Sequence, residues 1–286
     1  MNRATLPAGS AETVTLGGDL TVRRLGFGAM RITGRGIWGE PRDREAAITL
    51  LRRVVDSGVN LIDTADSYGP EVSERLIAEA LYPYPATLVV ATKGGLLRPG
   101  PDRWVPDCRP VYLRQACEGS LKRLKLDRID LYQLHTVDPR VPLEESIGAL
   151  VDLRNEGKIR HIGVSNVNLS QLMVARSLAK IVSVQNRYNL ADRTSDVIVD
   201  ACARDGFAFL PWHPLAAGRI ASPERRFGEI ADRPGATSTQ IALAWLLHRS
   251  PMILPIPGTS SIEHFEQNLA AANVRLTDAE FAALGR

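Results

Sequence analysis

Cysteine is scarce in this sequence. Cys108, Cys117 and Cys202 are the only three among 286 residues. They are odd in number and widely spaced, which excludes a disulfide framework and leaves no ligand spacing for a metal, so no metal site is expected. Long apolar runs are missing too: nothing approaches the roughly 20 consecutive apolar residues of a membrane-spanning helix. Met1 to Glu12 carry Arg3 but no apolar core after it, so no signal peptide is expected there. Charge of one sign is not in excess. The 35 Lys and Arg are scattered among 32 Asp and Glu, for a net +3. That argues against a broad nucleic-acid surface while permitting a local anion pocket. The expectation is a soluble, cytoplasmic protein that binds neither nucleic acid nor membrane; its oligomeric state is not legible. One further absence bears on fold. Gly26-Phe27-Gly28 lacks the third glycine and the helix of a dinucleotide-binding phosphate loop, so it reads as a place of close backbone approach.

Regular alternation is what the chain has in quantity, on an ordinary globular composition of 44% apolar and 23% charged residues. Residues 14–22 alternate apolar and polar on either side of Gly17-Gly18, which predicts a β-hairpin with a tight primed turn. Arg24 to Gly28 reads as a first short strand. Asp43 can cap a helix to Ser57 with Ala47, Leu50, Leu51, Val54 and Val55 on one face, and Gly58 stops it. Strand patterns follow at 60–62, 88–92, 129–133, 160–164, 181–185, 207–211 and 252–256. Helical patterns lie between them, at about 71–81, 110–124, 142–155, 169–178, 192–204, 238–248 and 261–269. A loop with Pro99, Pro101 and Pro106 is expected after 92, and Thr277 caps a last helix. Eight strand–helix units without a boundary predict an α/β fold, a (β/α)8 TIM barrel whose bottom the N-terminal hairpin plugs, forming one domain over residues 1–286.

Four polar stretches follow directly on predicted strands: Asp63-Thr64-Ala65-Asp66-Ser67-Tyr68, Ala91-Thr92-Lys93, Leu134-His135 and Gly163-Val164-Ser165-Asn166. The carboxyl ends of barrel strands converge on one pocket, so these groups are expected to meet. Asp63, Tyr68, Lys93 and His135 then form an acid–base set. A tyrosine with an ordinary pKa of about 10 is a poor proton donor at neutral pH. A nearby Lys93 ammonium would lower that pKa, and Asp63 would hold the lysine charged. His135 can hydrogen-bond a substrate oxygen where charge develops. Each residue alone also has a bland reading: a loop aromatic, a surface lysine, a satisfied buried histidine. Their order along successive strand ends favours the catalytic one.

With those residues in place, the chain resembles the aldo-keto reductase family from the hairpin to the late phosphate motif, and its Asp, Tyr, Lys, His tetrad matches Asp63, Tyr68, Lys93 and His135. The resemblance implies NADPH as cofactor, with NADH possible, and reduction of a small carbonyl substrate to an alcohol. It implies that Ser165, Asn166 and Gln185 hold the nicotinamide carboxamide and that Trp212 stacks under the ring, although Trp212 also reads as a core aromatic. It places Gly28, Met30, Asp63, Pro214, Leu215, Gly218 and Ile256 beside the cofactor, with Arg219 in reach of the pyrophosphate. For Arg219 a solvated loop position is the alternative.

The phosphate end departs from the family pattern. Where many members carry Ile-Pro-Lys-Ser and a later arginine, this chain has Ile256-Pro257-Gly258-Thr259-Ser260, with Gly258 in place of the lysine and His264 in place of the arginine. Thr259, Ser260, Ser261 and the amides opening the next helix remain for phosphate, and Gln267 and Asn268 match the pair near the adenine. Pro41-Arg42-Asp43-Arg44, Ala80-Leu81-Tyr82-Pro83-Tyr84, Ala244-Trp245-Leu246-Leu247 and the 256–261 stretch are similar to one bacterial branch, the pyridoxal reductases. Trp38, Tyr68, Trp104, His135 and Trp212 are the expected substrate walls, fit for a flat or apolar aldehyde. Two other functions stay open: a redox-sensing barrel that binds NADPH and a partner with little turnover, and a Schiff-base lyase acting through Lys93.

Overall fold

The computed structural model describes residues 12–215 and 236–285. A hairpin comes first, β1 (Thr13–Leu16) and β2 (Leu20–Arg23), paired antiparallel. Gly17 and Gly18 turn it with φ of 65° and 95°, values glycine takes without penalty. Seven parallel strands then form one sheet: β3 (Phe27–Gly28), β4 (Leu61–Asp63), β5 (Val89–Gly94), β8 (Ile129–Leu134), β9 (Ile159–Ser165), β10 (Ile181–Gln185) and β11 (Ala208–Phe209). They lie side by side in chain order. Each crosses to the next through a helix: α1 (Arg44–Asp56), α2 (Val72–Leu81), α3 (Pro110–Leu124), α4 (Leu143–Asn155), α5 (Leu169–Leu178) and α6 (Asp196–Asp205). After β11 come α7 (Ser238–Arg249), α8 (Ile262–Ala270) and α9 (Asp278–Leu284).

Residues 252–257 close the ring. On one side Phe209 N donates to Met252 O and Leu254 N to Phe209 O; on the other, Gly26 N donates to Pro255 O and Gly28 N to Pro257 O. This eighth segment joins the first strand to the last, giving the expected (β/α)8 barrel. Pro255 and Pro257 lack an N–H, so the segment cannot form a continuous ladder.

The hairpin plugs the barrel as expected. Val14, Leu16, Leu20 and Val22 share a cluster with the inward-facing Leu61, Val89, Leu131, Val182, Ala208 and Leu254. Asp19 and Gly17 fasten it to the wall, through Arg160 at 2.8 Å, His161 at 2.6 Å and Lys180 Nζ on Gly17 O at 2.6 Å.

Local signals explain most element ends. Asp43 Oδ1 accepts from Ala46 N at 2.9 Å, a cap of about 1 kcal/mol. Pro110 opens α3 and Thr277 caps α9. Three boundaries differ from expectation. The proline-bearing stretch after 92 is not all loop: β6 (Leu96–Gly100) and β7 (Arg103–Pro106) pair as an antiparallel hairpin, because Pro99, Pro101 and Pro106 fall at edge or turn positions that need no donor. Helix α6 starts at Asp196 rather than 192, since Asn189 and Asp192 exchange backbone bonds in a tight turn. The first and seventh strands are two residues each.

Candidate active site

A strand alternates its side chains between two faces, and that period carries the core into the site. On β4 the inward series runs Leu61, Asp63; on β5 Val89, Ala91, Lys93; on β8 Leu131, Gln133, then His135. On β9 and β10 it ends at Ser165 and Gln185. On β4, β5 and β8 the lower, apolar members lie in the plug cluster, and the polar ones stand one or two steps higher, at the carboxyl rim. There Asp63, His135, Ser165 and Gln185 border a cavity of about 380 Å³ that reaches from Tyr68, Trp104 and His135 to Gly28 and Gly258.

At its floor Lys93 Nζ donates to Asp63 Oδ1 at 2.6 Å and Thr64 O at 2.8 Å, and lies 3.4 Å from Tyr68 Oη. Lys93 has no exposure to solvent and Asp63 2%. Burial works against the ammonium, but Asp63 and then Tyr68, by charge and hydrogen bonding, together outweigh it and raise the lysine pKa. Tyr68 corrects the sequence expectation. Its pKa lies above the ordinary value, because burial raises it by more than Lys93 lowers it, and Asp63 adds to the rise. The phenol is therefore protonated at neutral pH. His135 stays neutral: burial, then the Lys93 and Arg98 charges, hold it well below the usual histidine value. Ser67 Oγ lies 3.3 Å from its Nδ1; with the hydroxyl donating, the ring proton sits on Nε2, the nitrogen left for a substrate oxygen.

Ser165, Asn166, Gln185 and Trp212 line the same cavity. Asn166 is a left-handed residue with φ of 56°. Its Nδ2 donates to His135 O and Ser165 Oγ, each at 3.0 Å, and its Oδ1 accepts from Trp212 Nε1 at 3.0 Å. Asn166 thus braces the clamp with both ends engaged. Ser165 keeps its own proton to donate. Gln185 Nε2 donates to Asp63 Oδ2 at 2.9 Å, leaving Oε1 to accept. Gly28, Met30, Pro214, Leu215, Ile256 and Gly258 complete the lining. A Cβ on Gly28 would sit 2.6 Å from Ile256 O, and one on Gly258 2.6 Å from Gly28 O. These two backbones therefore touch, as the glycine pattern predicts. Beyond Gly258, Thr259 Oγ1 accepts from Ser261 N at 3.0 Å, and Ser261 caps α8 through His264 N at 3.3 Å. Ser260 and His264 are exposed, Gln267 is half-buried and Asn268 is buried. These residues stand outside the cavity, around the start of α8. Gly218 and Arg219 lie outside the described residues.

Of the expected substrate walls, Tyr68, Trp104, His135 and Trp212 border the cavity, but Ile37 and Leu96 take the place given to Trp38. The Trp38 ring lies instead over the Arg98 guanidinium, 5.7 Å away. Sequence reasoning missed several groups. Ser67 orients His135, and Gln133 Nε2 donates to Asp63 Oδ2 at 3.0 Å. Arg31 lines the cleft beside Gly258, its Cγ 3.7 Å from the place of a Cβ there. Gln133 was recoverable, two residues before His135 on the inward face. Among the described residues no cluster of His, Cys, Asp and Glu could hold a metal, and no helix is long and apolar enough to cross a membrane.

Comparison with known proteins bears on this arrangement directly. A sequence model of the aldo/keto reductase family matches residues 24–286. An uncharacterized oxidoreductase of Schizosaccharomyces pombe is 47% identical over 277 residues, 97% of this chain and 90% of that protein. The pyridoxine 4-dehydrogenase of Escherichia coli is 44% identical over 281 residues, 96% of this chain and 98% of that protein. The structure of an aldo-keto reductase from Klebsiella pneumoniae in complex with NADPH superposes with a TM-score of 0.82 at 29% identity, over 96% of this chain and 94% of that one. A barrel plugged by a hairpin, with this floor, in a sequence the family model spans almost throughout, leaves one assignment: the chain belongs to the aldo/keto reductase family.

Proposed function

We propose that this protein reduces an aldehyde or ketone to an alcohol with NADPH, that Tyr68 is the general acid, and that flat aldehydes of the pyridoxal kind are its substrates. The observation that carries the proposal is the buried chain from Asp63 through Lys93 to Tyr68, ending beside His135 on the cavity floor. When bound, the nicotinamide supplies the hydride. Tyr68 gives its proton to the substrate oxygen as negative charge develops there. His135 Nε2 donates a hydrogen bond to the same oxygen and, being neutral, does not compete to protonate it. Asp63 keeps Lys93 charged, and the ammonium eases departure of the phenolic proton. Ser165 and Gln185 offer a donor and an acceptor suited to a carboxamide, and the Trp212 face suits a flat ring.

The likeness to the pyridoxine 4-dehydrogenase and the aromatic walls Tyr68, Trp104 and Trp212 support the substrate class. For the cofactor's phosphates the chain offers Arg31, Ser260 and the amides opening α8. A cytoplasmic place fits the three free, buried cysteines. Lys93 suits a Schiff base poorly, since it is sealed from solvent and its ammonium already has three partners.

The test is a titration with NADPH and with NADH followed by tryptophan fluorescence, then addition of pyridoxal beside benzaldehyde. The proposal expects quenching by NADPH and oxidation of it by both aldehydes, faster with pyridoxal. Turnover on benzaldehyde alone removes the pyridoxal assignment. Tight NADPH binding without turnover on either aldehyde leaves the redox-sensing function in its place.

A further inference from the structure

Arg98 is neither in the Asp63–Lys93–Tyr68–His135 set nor in the cofactor clamp, yet it is buried to 8% exposure on an outer hairpin where an arginine is ordinarily solvated. It sits on β6 where the pairing with β7 slips, between Leu97↔Val105 and Gly100↔Arg103. Strand alternation puts Arg98 on the covered face with Leu96, which borders the cavity, while Leu97 and Pro99 are exposed. Its guanidinium meets four backbone carbonyls: Nε donates to Arg103 O at 3.1 Å, Nη1 to Ile37 O at 2.9 Å and Ser67 O at 3.3 Å, and Nη2 to Gly36 O at 2.8 Å. Its Cζ also lies over the Trp104 ring, 3.7 Å from the ring centre.

Those contacts join three chain segments that are far apart in sequence. One carries Ile37, a β-branched residue at φ of 55°, a conformation that costs about 1–3 kcal/mol unless its surroundings impose it. Arg98 and Gly69 N both bond the Ile37 carbonyl and so supply that constraint. The second segment is the turn that presents Tyr68. The third carries Trp104, whose ring stands edge-on to Tyr68 and to His135, with centroids 6.4 Å from each.

We propose that Arg98 is the positioning residue of the substrate wall, and that by locking Trp104 and Ile37 against the Tyr68–His135 pair it selects flat, uncharged aromatic aldehydes over small aliphatic ones. The proposal rests on the reductase function above. Four of its five N–H donors are spent on backbone carbonyls, and the arginine presents its face to Trp104. A lysine has neither the planar fork nor the stacking face, so charge alone does not replace it.

The test compares wild type, Arg98→Lys, Arg98→Met and Trp104→Ala on benzaldehyde and propanal, with NADPH affinity measured separately. Both Arg98 variants should lower the benzaldehyde-to-propanal ratio of kcat/KM about tenfold, chiefly through a higher benzaldehyde KM, with NADPH Kd little changed, and Trp104→Ala should lose the same discrimination. Trp104→Ala leaves the carbonyl bonds intact and so serves if the Arg98 variants fail to fold. A benzaldehyde-to-propanal ratio of kcat/KM that is unchanged in the variants that fold overturns the proposal, as does full rescue by lysine. A wild-type protein with no turnover on either aldehyde instead overturns the reductase function, and this proposal with it.

Discussion

Lys93 Nζ and Asp63 Oδ1 stand 2.6 Å apart where solvent reaches neither side chain appreciably. Desolvating two charges costs several kcal/mol each, and the floor compensates by filling every acceptor. Gln133 and Gln185 both donate to the remaining Asp63 oxygen, and Thr64 O takes a second lysine proton. Asp63→Asn would leave the ammonium buried without its counter-charge. Unfolding in denaturant should show a loss of about 3–5 kcal/mol, with kcat falling alongside.

Removing the proton donor alone is a cleaner change. Tyr68→Phe keeps the ring and its edge-on contacts with Trp104 and His135, so the cavity keeps its shape. The expected outcome is a loss in kcat of about 10²- to 10⁴-fold with NADPH Kd unchanged, read by stopped-flow and by fluorescence titration. Full turnover on a good aldehyde would remove Tyr68 from the chemistry.

The two titrating groups at the floor fix the shape of the pH profile. Burial raises Tyr68 above the ordinary tyrosine value, so the donor keeps its proton through neutral pH and is lost only in strong alkali. Burial, Lys93 and Arg98 lower His135, so its charged form appears only well below the ordinary value of about 6.5. Reductive kcat should therefore be flat from about pH 6 to about pH 9. An acid limb centred near 6.5, or an alkaline one near 8, would contradict this arrangement.

The barrel and tetrad were legible because both rest on local periods. Inward positions two apart carry Leu61 to Asp63 and Val89 to Lys93, and that spacing is written in the sequence. What stayed hidden depends on long-range geometry. That the Leu96–Arg98 face of the outer hairpin is covered by the 36–37 and 67–68 segments leaves no trace in Leu96-Leu97-Arg98-Pro99. The net effect on Tyr68 was misjudged because spacing shows a neighbouring charge but not the burial that outweighs it. Ile37 rather than Trp38 faces the cavity, at a left-handed φ of 55° that a β-branched residue gives no sequence signal for.

A second buried carboxylate lies one turn away. Asp66 is pushed up to about 8, by burial and then by Glu74, with Arg123 opposing. Between the unfolded value of about 3.8 and about 8, the folded state holds a proton that the unfolded chain releases. Folding is thus opposed progressively as pH rises through that window, and the cost is fully present above it. Asp66→Asn removes the titration and keeps an acceptor for Tyr112, whose hydroxyl lies 3.4 Å from Asp66 Oδ2. Thermal unfolding should show the variant gaining roughly 2–5 °C on wild type at pH 8, with the difference shrinking toward pH 5. A constant difference across pH would assign the change to packing instead.

Gly258 and Arg31 together decide how the adenosine end of the cleft meets a phosphate. The resemblance leads one to expect a lysine at 258, but any Cβ there would lie 2.6 Å from the Gly28 carbonyl, and backbone on both sides leaves no room to yield. Restoring the lysine should therefore harm the site. Gly258→Lys and Gly258→Ala should both weaken NADPH and NADH, by about 1–3 kcal/mol of overpacking cost, and lower Tm together. Arg31 reaches the same spot from the opposite wall with an exposed side chain, so Arg31→Ala should leave Tm unchanged. If its guanidinium meets the 2′-phosphate, the variant should lose about tenfold in NADPH affinity and little in NADH. An equal loss for both nucleotides in calorimetric titration would place Arg31 on the pyrophosphate instead, and no loss for either would leave phosphate recognition to Ser260 and the α8 amides.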